Sequence, residues 1–226
     1  MRKRGAMSFD PSYLYAQWPA LLNGLGMTVL VSVIALIASI VIGVLGAACR
    51  VLRIPVLSQL VTGYVELIRN TPILVQLFFI FYGLPSIGIQ FSLFWSGVVC
   101  LSVWAGAYQV ENIRGGLSTV EHGMREAAIS LRLTTRQYLR LVALPIAFRS
   151  SLPTIVNTSV SMLKNSSYLQ AIGLAELTYV AVDRIATDFR ALEMFAAIGV
   201  IYVSLVVLLS LAAQRLEHRL HRPFRS

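Results

Sequence analysis

The stretch LGMTVLVSVIALIASIVIGVLGAA, Leu25 to Ala48, decides the fold. It has no charged side chain and exceeds the roughly 20 apolar residues a helix needs to cross a bilayer. Backbone groups in lipid must bond within their own segment, so such a run reads as a membrane-spanning helix. Further apolar runs lie at about Val56–Leu84, Phe91–Val110, Ser151–Leu174 and Leu192–Ala213, which makes about five spans.

Composition agrees. Of 226 residues, 57% are hydrophobic and 13% charged, with mean hydropathy +0.73. A soluble domain is roughly 25% charged. The chain is expected to be an all-α polytopic membrane protein. It divides into an N-terminal extracytoplasmic segment (1–24), one transmembrane domain (25–216) with a polar loop at 115–150, and a cytoplasmic tail (217–226). No room remains for a separate soluble catalytic domain.

The net charge of +9 and pI of about 10.1 do not point to nucleic acid, because the arginines sit between and after the apolar runs. Arg50 and Arg53 fall in the first loop; Arg114, Arg125, Arg132, Arg136, Arg140 and Arg149 lie in and around the third loop; Arg215, Arg219, Arg222 and Arg225 lie in the tail. With five spans this alternation predicts an N-out, C-in topology. Arg2, Lys3 and Arg4 run against it, and translation from Met7 would remove them. Polar Ser8 to Pro11 stands where a cleaved signal would be apolar, so the first run is expected to be retained. Cys49, Cys100, His122, His218 and His221 share no metal-ligand or disulfide spacing, and no phosphate-binding Gly-rich loop with Lys-Ser/Thr is present.

The loop contains Arg125-Glu126-Ala127-Ala128-Ile129-Ser130-Leu131-Arg132. Glu126, Ala127 and Ala128 open a short helix whose alanines leave a low surface for another protein's backbone. Thr134 and Gln137 fit a capping box, so a second short helix starts there and the two meet near Leu131–Thr134. Such an elbow suits a cleft on a cytoplasmic partner; the other reading is an amphipathic helix resting in the headgroups.

Within the spans, Glu66 and Arg69, and again Glu111 and Arg114, stand three apart and are expected to form ion pairs on one helix face. Pro72 lacks an N–H, so the helix should break near Asn70-Thr71 and free carbonyls, with Gln76 one turn on. Lys164, counted from a span starting near Pro153, falls ~17 Å deep at ~1.5 Å per residue. With Asn165, Ser166 and Ser167 it should face a cavity or, on the other reading, form a polar packing cluster. Thr71, Gln76, Asn165 and Ser166 supply both donors and acceptors.

The order and spacing of several pieces carry a resemblance. They are Tyr64-Val65-Glu66-Leu67-Ile68-Arg69-Asn70-Thr71-Pro72, Leu74 to Phe79, Ala107-Tyr108 with Glu111 and Arg114-Gly115-Gly116, Glu126-Ala127-Ala128, Leu144-Pro145, Leu163 to Ser167 and Ile172 to Thr178. From roughly Met27 to Leu216 the chain resembles the membrane permeases of bacterial ABC importers, in the polar amino acid (histidine/glutamine-type) branch.

That resemblance implies the type I importer permease fold in the inner membrane. It makes Glu126, Ala127 and Ala128 the helix that couples to an ATPase. Arg132 stands where the family has glycine: the turn is right-handed, or its strain is accepted, or Arg132 adds an ion pair to the partner. The partners implied are a second permease chain, identical or related, ABC ATPase subunits that bind ATP and Mg, and an extracytoplasmic solute-binding protein, with no cofactor in this chain itself. The substrate would be a polar amino acid or close analogue, on a path past Thr71, Pro72, Gln76, Lys164, Asn165 and Ser166. Asn165 replaces an acid of the family pattern, which disfavours arginine or lysine as cargo. The competing reading is an ion-gradient-driven transporter or channel, with Lys164 and Glu66 as relay groups. No paired catalytic carboxylates, Ser–His arrangement or metal cluster supports an enzyme.

Overall fold

The computed structural model describes residues 9–120 and 122–221, and every regular element among them is helical. Helix α1 runs from Pro11 to Val51. Asp10 caps it, its Oδ1 accepting the Ser12 N–H at 3.0 Å, and Pro11 sits in the first turn, where an N–H has no helical partner to lose. Helix therefore begins ahead of the apolar run, across the boundary expected at residue 24. Residues 11–24 continue the span as helix because Leu21 packs with Leu177 and Met194. Arg2, Lys3, Arg4 and Met7 lie outside the described residues.

The second apolar run is broken. Helix α2 (Leu57–Arg69) ends at Asn70, Pro72 adopts an extended conformation, and α3 (Ile73–Phe78) continues through a π turn (Phe79–Gly83) and a 3₁₀ turn (Leu84–Ile87). The two halves meet at 109°. The proline ring excludes the helical conformation for Thr71 and removes a donor, so the break falls where that chemistry requires it.

Helix α4 (Leu93–Ser118) leads into two short helices, α5 (His122–Ser130) and α6 (Thr135–Tyr138), and a π turn (Leu139–Ala143) precedes α7 (Leu144–Asn165). A 3₁₀ turn (Ser166–Ile172), α8 (Leu177–Asp188) and α9 (Ala191–His221) complete the order. Helix persists past residue 217, where a tail was expected. Pro11–Val51, Leu93–Ser118, Thr135–Ile172 and Ala191–Arg215 are each long and apolar enough to cross a membrane, and the bent pair is apolar enough to make a fifth where its halves act as one broken span.

Close backbone approach holds the bundle together. A Cβ on Gly43 of α1 would stand 2.5 Å from the Gln109 Cβ of α4, and one on Gly116 of α4 would stand 2.5 Å from the Ala147 carbonyl oxygen of α7. Small residues permit such contact where no hydrophobic force drives helices together. Val31, Ala35, Leu77, Leu101, Met162 and Leu169 fill the centre. Ile37, Val41 and Leu45, one turn apart along α1, are exposed and form an apolar ridge on the bundle's surface.

Candidate functional site: a capped elbow and two polar cavities

The elbow lies at the arginine-rich end of the bundle. Helix α5 ends in a Schellman motif: the Leu133 N–H donates to the Ala128 carbonyl at 3.0 Å and the Arg132 N–H to the Ile129 carbonyl at 2.9 Å. Arg132 holds the left-handed position of this motif, with φ +55°. Of the readings open from sequence, the accepted-strain turn is the one the backbone takes. Thr134 then caps α6, its Oγ1 accepting the Gln137 N–H at 3.3 Å while the Gln137 Oε1 accepts the Thr134 N–H at 2.9 Å.

Glu126 and Ala127 are exposed. Ala128 is not: at 3% exposure it turns inward onto a cavity of about 500 Å³ whose lining includes Val51, Leu52, Leu117 and Leu133. The low outer surface expected of both alanines belongs to Ala127 alone, because the helical turn carries the next side chain toward the end of α1.

The interior redistributes the expected roles. Glu111 pairs with Arg114 at 2.7 Å and also with Arg50 of α1. From the sequence Arg50 was a marker of topology only; its pairing was not legible, since it stands far from Glu111 along the chain. The matching Glu66–Arg69 pair is absent from the described ion pairs. Arg69 instead lies over the ring of Tyr108, 5.1 Å from its centroid, an attraction between cation and aromatic face.

Gln76 is engaged at the break through its amide nitrogen, while its Oε1 is buried with no hydrogen-bond partner among the described residues. Its Nε2 donates to the Ile68 carbonyl (2.9 Å), the Thr71 carbonyl (3.1 Å) and Thr71 Oγ1 (2.8 Å), while the Thr71 hydroxyl donates to the Leu67 carbonyl (2.9 Å). The carbonyls freed by Pro72 are thus satisfied from within, as a buried break demands.

Lys164 lies in the last turn of α7, which begins at Leu144 ahead of the apolar run, and it is exposed. Ser166 is fully buried and donates to the Leu163 carbonyl at 2.7 Å. Asn165 reaches a cavity of about 420 Å³ lined by Trp104 and Tyr108 of α4 with Asn157, Thr158, Ser161 and Asn165 of α7. Asn157, Ser161 and Asn165 recur every fourth residue, a helical stripe of polar groups that was visible in the sequence but not singled out. Asn112 fastens the cavity's edge, donating to Thr158 Oγ1 at 2.9 Å and to Gln109 Oε1 at 2.9 Å.

Glu176 is a further residue that periodicity did not flag. Fully buried, it caps α8 by accepting the N–H groups of Tyr179 (2.7 Å) and Thr178 (2.9 Å), and it takes the Tyr202 hydroxyl at 3.1 Å. The Thr28 hydroxyl in turn accepts the Leu177 N–H at 3.1 Å, so α1, α8 and α9 are joined at one point.

A helical bundle with a broken span, a polar inner seam and a capped elbow at one end defines the membrane subunit of a transport system. Residues 39–222 match the family described as the binding-protein-dependent transport system inner membrane component, and the chain belongs to that family. It is 36% identical to the glutamine transport system permease protein GlnP of Escherichia coli (strain K12), over 95% of this chain and 99% of that one. It is 31% identical to the arginine transport system permease protein ArtQ of Bacillus subtilis (strain 168), over 95% and 98% respectively. A solved amino acid ABC transporter with histidines superposes with a TM-score of 0.87 at 32% identity, covering 94% of this chain and 100% of that one. The fold is that of a type I ABC importer permease, an inner-membrane component in which ATP is used by a partner ATPase.

Proposed function

We propose that this chain translocates a neutral polar amino acid or close analogue by alternating access. The observation that carries the substrate class is the cavity between α4 and α7, whose polar lining is made of amides, hydroxyls and aromatic edges without a charged side chain. Such a set orients a polar side chain by hydrogen bonds and offers no ion pair to a cationic one. The names of the relatives, glutamine and arginine permeases, support an amino acid as cargo.

The elbow is the coupling element. Glu126 and Ala127 contact the ATPase, Ala128 roots the helix on the end of α1, and the left-handed turn at Arg132 fixes the angle to α6. The arginine-rich end is cytoplasmic, the N-terminal end of α1 is outside, and a second permease chain of the same or related sequence faces the broken span. An extracytoplasmic binding protein delivers the solute at the opposite end.

Reconstitution with the ATPase and binding protein tests this. Uptake of labelled L-glutamine should require ATP, and Glu126→Lys should abolish uptake while the chain still inserts. Uptake that persists without ATP would instead establish the ion-gradient reading, and normal uptake by Glu126→Lys would remove the coupling role.

A further inference from the structure

A second polar cavity, also about 420 Å³, lies on the other side of Tyr108. Its lining includes Arg50, Glu66, Arg69, Asn70, Tyr108 and Glu111, so one tyrosine forms a wall of both cavities. The two differ in chemistry. The first has neutral polar groups; the second holds charges of both signs.

Not all of those charges are free. Glu111 is held between Arg50 and Arg114, which leaves that trio as a fixed wall. Glu66 and Arg69 remain, one turn apart on α2, and among the described residues they make no ion pair with each other or with any other side chain. Their depth follows from the packing of α2 on α4: the Tyr64 hydroxyl donates to the Val103 carbonyl at 2.6 Å, near the midpoint of α4, and Arg69 stacks over Tyr108. Both are exposed to the cavity, Glu66 within electrostatic reach of Arg50, and charges within a bundle are retained where they face a cavity or a ligand rather than lipid. The stack on Tyr108 holds the Arg69 guanidinium, whose planar fork suits a carboxylate.

We propose that this cavity is a second binding station for the α-ammonium and α-carboxylate of an amino acid, Glu66 taking the ammonium and Arg69 the carboxylate. Tyr108 is the partition between it and the neutral cavity. The neutral cavity reads the side chain; the charged one reads the backbone groups that every α-amino acid shares. A volume of about 420 Å³ is ample for one such molecule. This inference rests on the amino acid reading above.

Equilibrium binding of [14C]L-glutamine to the whole nucleotide-free transporter in lipid nanodiscs is the test. Wild type should show two classes of site per permease chain. Glu66→Gln and Arg69→Gln should each weaken one class about tenfold or more, the scale of a charge-assisted hydrogen bond, while Asn165→Leu should weaken only the other. Glutaramate, which is glutamine without its ammonium, gives a readout needing no variant: it keeps the carboxylate for Arg69 but offers nothing to Glu66, so it should displace the label from the neutral cavity at concentrations that leave the charged one filled.

A single class of site in wild type, two classes that both survive Glu66→Gln, or glutaramate emptying both over the same concentrations would overturn the second station. Absence of glutamine binding in wild type, with ATP-driven uptake of another amino acid intact, also overturns it, because a backbone-reading site must accept glutamine. Absence of ATP-driven uptake of every amino acid sinks the importer reading instead.

Discussion

Replacing Arg132 with glycine should stabilise the elbow. At φ +55° Arg132 occupies a conformation that brings the Cβ of an L-residue close to the following carbonyl oxygen, at roughly 1–2 kcal/mol. Glycine removes that term but adds roughly 0.5–1 kcal/mol of backbone entropy to the unfolded side. The difference is about 0.5–1 kcal/mol in favour of the variant. Nothing in the motif is lost, since its hydrogen bonds, Leu133 N–H to Ala128 and Arg132 N–H to Ile129, are made by backbone alone. Hydrogen–deuterium exchange at Leu133 reads the local opening, which should slow about two- to fivefold. Arg132→Val should act the other way, because a β-branched side chain at positive φ is still more crowded. Faster exchange in the glycine variant, or equal rates in the glycine and valine variants, would refute the strain argument. If the elbow stays protected but uptake collapses in Arg132→Gly, the guanidinium itself contacts the ATPase.

Three other outcomes are expected. Gly43→Ala should lower the thermal midpoint of the solubilised transporter, since its Cβ would meet the Gln109 Cβ at 2.5 Å and overpacking costs about 1–3 kcal/mol, while Gly26→Ala, with open space around it, should raise the midpoint through helix propensity; equal shifts would contradict the α1–α4 contact. Glu111→Gln should destabilise by about 3 kcal/mol, the low end for a buried pair because the carboxylate keeps 20% exposure, and an unchanged midpoint would show that Arg50 and Arg114 are solvated. Asn165→Asp should shift competition uptake toward arginine and lysine by placing a carboxylate in the neutral cavity; unchanged selectivity would place the cargo elsewhere.

Much of the candidate site was legible because it depends on near neighbours in the chain. Pro72 breaks its own helix whatever surrounds it. Thr134 and Gln137 cap α6 through atoms three residues apart, and Glu111 meets Arg114 across one turn. The full length of α7 was less legible, because hydropathy marks where apolar residues begin rather than where helix begins, and α7 starts at Leu144.

The sequence by itself determined the helical class, the approximate spans, the broken second span and the two-helix elbow, because hydrogen bonding in lipid and local capping leave few alternatives to a given run of residues. Tertiary structure alone decided which polar group meets which. It placed Arg50 on Glu111, Arg69 over Tyr108, Gln76 on the carbonyls at the break, Ala128 inward and Asn165 into a cavity. Those choices follow from how closely glycines such as Gly43 and Gly116 let the helices approach. A distance between helices is a property of two surfaces together, which no single stretch of chain contains.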